Sequence, residues 1–222
     1  MIEMHLDKVP FDQIMNGTKT IELRLFDEKR RELKRYDRIR FLSREKKDDY
    51  IKVELRKIHV FPTFEELFRA LPMEKCGYEA GEADPKDMLA FYSREEQEKY
   101  GVVGLEFDVI RRFMIDENGE RMGSCAACKR LFPIKSLRME QSCGPFSEPF
   151  CRRCLAYGRL PYDSIVWKVT SGARPGEDFT KKIPDYYLKM IREQLPFWHK
   201  TEEEFIGECC YRIENRVIPV LA

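Results

Sequence analysis

Gly17-Thr18-Lys19-Thr20-Ile21-Glu22-Leu23-Arg24 is the stretch on which the fold turns. Ile21, Leu23 and Leu25 are apolar, while Thr20, Glu22 and Arg24 are polar. That period of two predicts a strand with one face in the core and three polar groups on the other. Upstream, Met4, Leu6 and Val9 predict an opening strand that runs into a turn. Pro10 to Gly17 then reads as a short helix, with Pro near its start and Gly as its stop. Downstream, the charged segment Asp27 to Arg35 predicts a helical turn or loop. Strands follow over Arg38 to Leu42 and Tyr50 to Val60, parted by the charged turn Arg44 to Asp49. Thr63 can cap a helix from Phe64 to Leu71, with Glu66 placed as in a capping box. Asp84 can cap a second helix from Pro85 to about Tyr100, and Gly101 releases the chain into a strand over Val102 to Ile110. Strands of mixed spacing with inserted helices give residues 1–110 an α+β pattern.

Composition bounds the rest. The 222 residues are 43% hydrophobic and 36% charged, enough apolar material for a core and against intrinsic disorder. No apolar run approaches the roughly 18 residues of a membrane span, and the N-terminus lacks the basic-then-apolar order of a signal peptide. A soluble cytoplasmic protein without a membrane partner is the expectation. Forty Lys+Arg balance 39 Asp+Glu, which excludes a uniformly basic nucleic-acid binder. The balance is local, however. Residues 1–110 hold 21 basic and 24 acidic groups, net −3, and residues 111–222 hold 19 and 15, net +4. Between Lys29 and Lys47 ten Lys/Arg, including Lys34, Arg38 and Arg40, face three acids. Such a strip can bind phosphates, with Tyr36, Phe41 and Tyr50 available for base stacking; a solvated charged face is the alternative. No phosphate loop, G-x-G-x-x-G or H-E-x-x-H motif is present, and only His5, His59 and His199 are available for histidine-based catalysis.

Eight cysteines fall at 76, 125, 128, 143, 151, 154, 209 and 210. Cys125-Ala126-Ala127-Cys128 and Cys151-Arg152-Arg153-Cys154 are two Cys-x-x-Cys pairs separated by 22 residues. A two-residue spacer lets one tight turn present two thiolates, and two such pairs supply the four tetrahedral ligands of a closed structural zinc site. Reduced cysteines without metal, or a redox dithiol, are the alternatives, and Cys143 could replace one ligand. The order of a knuckle, a connection and a second Cys-x-x-Cys leading into Leu155-Ala156-Tyr157 resembles a treble-clef or zinc-ribbon module, a class that binds nucleic acid or protein or braces a fold. Farther on, Ile165 to Val169 reads as a strand, Pro184 to Leu195 as a helix, and Glu208 to Leu221 as a hairpin. The segments expected are 1–110, a zinc module over 111–160, and a C-terminal α/β extension over 161–222.

The motif Gly17 to Arg24, followed by Leu33 to Phe41 and by Phe91 to Phe107, resembles the ASCH family in the right order over about half the chain. One departure is Tyr36, where the family usually has Gly before the Asp. The resemblance implies a small PUA-like β-barrel with helices beside a cleft lined by Lys19, Glu22 and Arg24, suited to RNA or a nucleotide-like ligand. Some small ASCH proteins are amidohydrolases of N4-acetylcytidine that use a Lys, a Thr and a Glu. Here Lys19 matches the Lys, Glu22 stands at the Thr position, and Asp87 is the candidate acid. The loss of that hydroxyl removes the implied nucleophile but leaves a carboxylate able to act as a general base. Without the resemblance, Thr20, Glu22 and Arg24 read as a solvated strand face, and Asp87 as a first-turn helix residue. The functions open at this point are RNA or nucleotide binding through Lys19, Glu22, Arg24, Lys34, Arg38 and Arg40, hydrolysis of an N-acylated nucleoside, and a protein-interaction adaptor built on the zinc module.

Overall fold

The computed structural model describes residues 2–141 and 147–217. Cys143 and the far end of the expected 208–221 hairpin lie outside those residues. The chain divides into two compact units, Met1–Arg121 and Met122–Ala222.

The first unit starts with strand β1 (Ile2–Leu6) and helix α1 (Lys8–Asn16), which stops at Gly17 with φ +90°. Strand β2 (Ile21–Leu25) carries the motif, and the short helix α2 (Glu28–Arg31) follows. Strands β3 (Arg38–Ser43) and β4 (Tyr50–Phe61) form an antiparallel pair. Helix α3 (Phe64–Ala70) starts at Thr63, whose hydroxyl accepts from the Glu66 N–H at 3.3 Å. The expected helix from Pro85 to Tyr100 is two elements: a 3-10 helix, Pro85–Ala90, and α4 (Arg94–Tyr100). Ser93 explains the break, because it forms its own capping box with Glu96 and so begins a new helix. Strand β5 (Val102–Ile115) runs longer than expected.

The strand order is β1-β3-β4-β5, with β1 parallel to β3, the other pairs antiparallel, and β2 on the free side of β5. Register shifts at Lys52/Val53 and Leu55/Lys57 bend the two long strands β4 and β5. Edge strands β1 and β2 approach each other, since Arg24 Nη2 on β2 donates to the His5 carbonyl on β1 at 2.9 Å. The sheet is thus a barrel with a seam bridged by a side chain. Alternation fills its interior with Met4, Leu6, Ile39, Phe41, Ile51, Val53, Leu55, Val103, Leu105 and Phe107, and α1 adds Phe11 and Ile14. A fully buried side chain the size of Phe41 contributes about 1.5–3 kcal/mol. Ile21, Leu23 and Leu25 instead join an outer core with Phe64, Leu67, Cys76 and Met88.

Tyr36, at the family's usual Gly position, adopts φ +72°. The glycine-like turn is therefore kept, and the buried Tyr36 ring lies between the guanidiniums of Arg35 and Arg56 at 4.7 and 5.4 Å from its centroid.

The second unit begins with the antiparallel strands β6 (Arg121–Ser124) and β7 (Leu131–Pro133), then β8 (Arg138–Gln141) and β9 (Ser147–Phe150), also paired antiparallel. Among the described residues its α-helices are α5 (Arg152–Ala156), α6 (Tyr162–Thr170), α7 (Asp185–Trp198) and α8 (Glu202–Glu214). Two expectations are corrected here. Ile165 to Val169 is helical, and the start of the expected hairpin at Glu208 lies in α8. Val, Ile and Trp favour strands locally, but Ile165, Val166 and Val169 fall at helical spacing and bury one face against Ile191, Leu195, Phe205, Cys209 and Ile213. Among the described residues no helix is long and apolar enough to cross a membrane.

Candidate functional site

The register of β2 on β5 decides where the motif's polar residues go. Glu22 opposes Leu105 and Arg24 opposes Val103, and directly opposed residues share a face. Leu105 and Val103 belong to the barrel interior, so Glu22 and Arg24 point to that side. The strand face expected in solvent is buried: Lys19 is 6% and Glu22 4% exposed. Charges so placed need partners. Lys19 Nζ lies 3.2 Å from Glu22 Oε2 and donates to the Cys76 carbonyl at 2.6 Å. Arg24 Nε lies 2.9 Å from Glu22 Oε1, and its Nη1 is 3.5 Å from the Tyr92 hydroxyl. Glu22 thus sits between two cations, yet its Oε2 is buried without an aligned hydrogen bond. Burial disfavours the charged form of Arg24, but Glu22 and Tyr92 outweigh it and raise its pKa. Burial also lifts the Cys76 thiol to about 12, against the opposing pull of Lys19, so Cys76 serves through its carbonyl rather than as a nucleophile.

The other expected ligand residues lie elsewhere. Asp87 is exposed in the 3-10 helix, and among the described residues no hydrogen bond or ion pair joins it to Lys19, Glu22 or Arg24. Its field reaches Tyr78, whose hydroxyl is held up to about 12 by burial first and Asp87 next. Lys34 is exposed in the loop before β3, its backbone N–H held by Asp37. Arg38 and Arg40 alternate with the buried Ile39 and Phe41 and so occupy the outer face of β3. Arg38 pairs with Glu54 at 3.4 Å and Arg40 with Glu3 at 3.2 Å. Of the aromatics in that strip, Phe41 is core and Tyr36 is buried between guanidiniums, while Tyr50 is half-buried. Two residues beside the trio belong, by sequence, only to the start of the Phe91 to Phe107 segment and not to the expected ligand residues. Tyr92 touches Arg24, and its neighbour Phe91 is 64% exposed. An aromatic pair ahead of the Ser93 cap was the available signal.

In the second unit the two Cys-x-x-Cys pairs converge. The ligand atoms of Cys125, Cys128, Cys151 and Cys154 all lie within 4.8 Å of one another. The first pair occupies the turn between β6 and β7, where Lys129 takes φ +59° and Cys125 N–H donates to the Arg130 carbonyl at 2.9 Å. Cys151 caps α5 and Cys154 lies in its first turn, Cys154 N–H donating to Cys151 Sγ at 3.4 Å. Phe150, Phe132, Leu137 and Phe197 pack around them. Metal–sulfur bonds of about 2.3 Å in a tetrahedron put the sulfurs roughly 3.8 Å apart, so this spacing fits one ion. Burial opposes ionisation at Cys125, but N–H groups of Cys128, Cys151 and Ala127 overcome it and lower its pKa; at Cys128 and Cys154 burial prevails and raises it. A bound cation would favour the thiolate form of all four, and the donor set suits a soft divalent metal.

The sequence profile of the ASCH domain matches residues 4–111, which include the barrel, the helices beside it and the charged trio. Over 49% of this chain and 97% of its own length, the crystal structure of hypothetical protein PH0355 is 36% identical, with a TM-score of 0.42. The solution NMR structure of protein PF0455 from Pyrococcus furiosus is 28% identical over 49% of this chain and 96% of its own, with a TM-score of 0.38. No curated protein matches the chain. The residues that gather into one buried site on the barrel thus fall within the segment, residues 4–111, that matches the ASCH domain.

Proposed function

We propose that the chain binds RNA or a nucleotide-like ligand at the Lys19–Glu22–Arg24 site, and that zinc in the four-cysteine site orders the second unit. The observation that carries the first part is Glu22, a buried carboxylate held between two cations with one oxygen lacking an aligned hydrogen bond. A buried ion trio seldom stabilises a fold better than apolar packing would, so its presence here supports a binding role. Lys19 and Glu22 form the floor. Arg24 and Tyr92 border it, and the exposed Phe91 ring offers a surface on which a base can stack. Fluorescence titration with varied RNAs over a range of salt tests this; no binding at low salt sinks it. For the metal, the order of knuckle, hairpin β8–β9 and helix α5 bearing the second pair supports a treble-clef-like module. Metal analysis of purified protein should give about one equivalent of zinc, and less than half an equivalent without chelators counts against it.

One observation favours a second, hydrolytic reading: a buried amine and carboxylate 3.2 Å apart can pass a proton between them. Incubation with N4-acetylcytidine followed by chromatography tests it. Turnover that persists in Lys19→Ala removes Lys19 from such a mechanism.

A further inference from the structure

The outer face of the barrel has two parts. Around β2 it is apolar, and Ile21, Leu23, Leu25 and Val102 pack there with Phe64 and Leu67 of α3. Across β3, the start of β4 and the end of β5 it is charged, and two neighbouring rows differ in sign. Arg38, Glu54 and Asp108 oppose one another across the three strands, one cation beside two acids, and Arg56 bridges Glu54 and Asp108 at 3.1 and 2.7 Å. In the next row Arg40 opposes Lys52 and Lys52 opposes Arg111. Three cations stand in register on strands about 4.8 Å apart, with Glu3 opposite Arg40 at one end. Like charges directly opposed weaken strand pairing. Their effect is visible at Lys52, whose pKa is lowered by burial first and then by Arg111, Arg40 and Arg38.

Aromatic rings hold part of this row in place. Tyr50 and Phe113 stack at 5.4 Å and 15°, with Arg40 over the Tyr50 ring at 5.1 Å and Arg121 over the Phe113 ring at 5.5 Å. The row also reaches the barrel seam. Lys29 Nζ donates to the Glu3 carbonyl at 2.8 Å and Arg24 Nη2 to the His5 carbonyl at 2.9 Å. Glu3 and His5 are two residues apart on β1, roughly 7 Å. Cations therefore follow one another from Arg24 through Lys29 and Arg40 to Lys52 and Arg111.

We propose that this row is a second contact surface for the same ligand: the phosphodiester backbone of single-stranded RNA, held at the Arg24 site, continues across β1, β3 and β4 to β5. The starting point rests on the nucleotide-binding reading of the Arg24 site, whereas the row itself rests on the strand register. The test is fluorescence anisotropy of the full chain with a trinucleotide and with an oligouridylate of about twelve nucleotides, each at several salt concentrations. Lys52→Gln/Arg111→Gln should weaken the long oligonucleotide about tenfold and flatten its salt slope by about 1.4, near 0.7 for each phosphate that is no longer neutralised. Trinucleotide binding should not change, and Arg24→Ala should weaken both ligands. Recovery of long-oligonucleotide binding in the charge-conserving Lys52→Arg/Arg111→Lys supports the row and separates its charge from any folding defect. Wild-type affinity and slope in the double Gln variant overturn the row, and a weaker complex with Arg24→Ala in that same experiment leaves the Arg24 reading standing. A defect confined to the double Gln variant overturns the Arg24 reading and keeps the row as an independent site. Absence of long-oligonucleotide binding by the wild-type chain at low salt overturns both, and leaves an acidic protein as the partner to seek.

Discussion

The two units bury polar groups by different means. The N-terminal unit encloses Lys19, Glu22 and Arg24 in a barrel whose core is built from alternating aliphatic and aromatic residues, and the Glu22 carboxylate is shared by the two cations. The C-terminal unit encloses four cysteines among a few aromatic residues, with short strands and a five-residue helix around them. An apolar core can carry an ion trio whose members partner one another. The proposed zinc would be supplied to the cysteine pocket from outside. The first unit should therefore fold on its own terms, and the second should depend on its metal.

Chelation should break the comparison most strongly. Structural zinc contributes about 10–16 kcal/mol in zinc-finger peptides, so a strong chelator, or Cys151→Ser, should unfold the cysteine module while the barrel persists. Hydrogen exchange reads both units at once, and retained protection of β6–β9 after verified metal removal would refute the dependence. Next comes Glu22→Ala, which strands two buried cations and should cost about 3–5 kcal/mol in urea unfolding of the barrel. A cost below about 1 kcal/mol would place the trio with exposed surface pairs. Tyr36 gives a smaller, inverted effect. Because its φ is +72°, Tyr36→Gly should be more stable than Tyr36→Ala by about 1–2 kcal/mol, the strain of a left-handed L-residue; equal stabilities would show the turn relaxes. Smallest is Thr201→Ala, which removes the capping box of α8, where Thr201 Oγ1 accepts from Glu204 N–H at 3.1 Å. It should cost about 1 kcal/mol, and that cost should appear in the metal-bound protein but vanish with chelator if the helices fold only with the cysteine module.

Much of the N-terminal fold was legible. Alternation located β2 to β5, Thr63 caps its helix and Gly101 releases the chain into β5, and the motif Gly17 to Arg24 named the residues that meet at the site. The differences from expectation have separate causes. Ile165, Val166 and Val169 favour strand locally, yet packing against α7 and α8 made them helical. Ser93 divided one expected helix in two because a capping box outcompetes continuity. Asp87, expected as the acid of the site, follows a cap that turns it outward into solvent.

Sequence alone determined the local periods, the caps and the chemical identity of the two clusters, because these depend on neighbouring residues and on donor type. It could pair Cys125 with Cys128 and Cys151 with Cys154 because each pair lies within one turn. Which face of β2 is buried, and that both are, was decided only in three dimensions by its register on β5. The same holds for the row of Arg40, Lys52 and Arg111, drawn from three strands up to 71 residues apart. Strand register is a long-range property: a shift of one residue reverses every side chain, and no local pattern of charges fixes it.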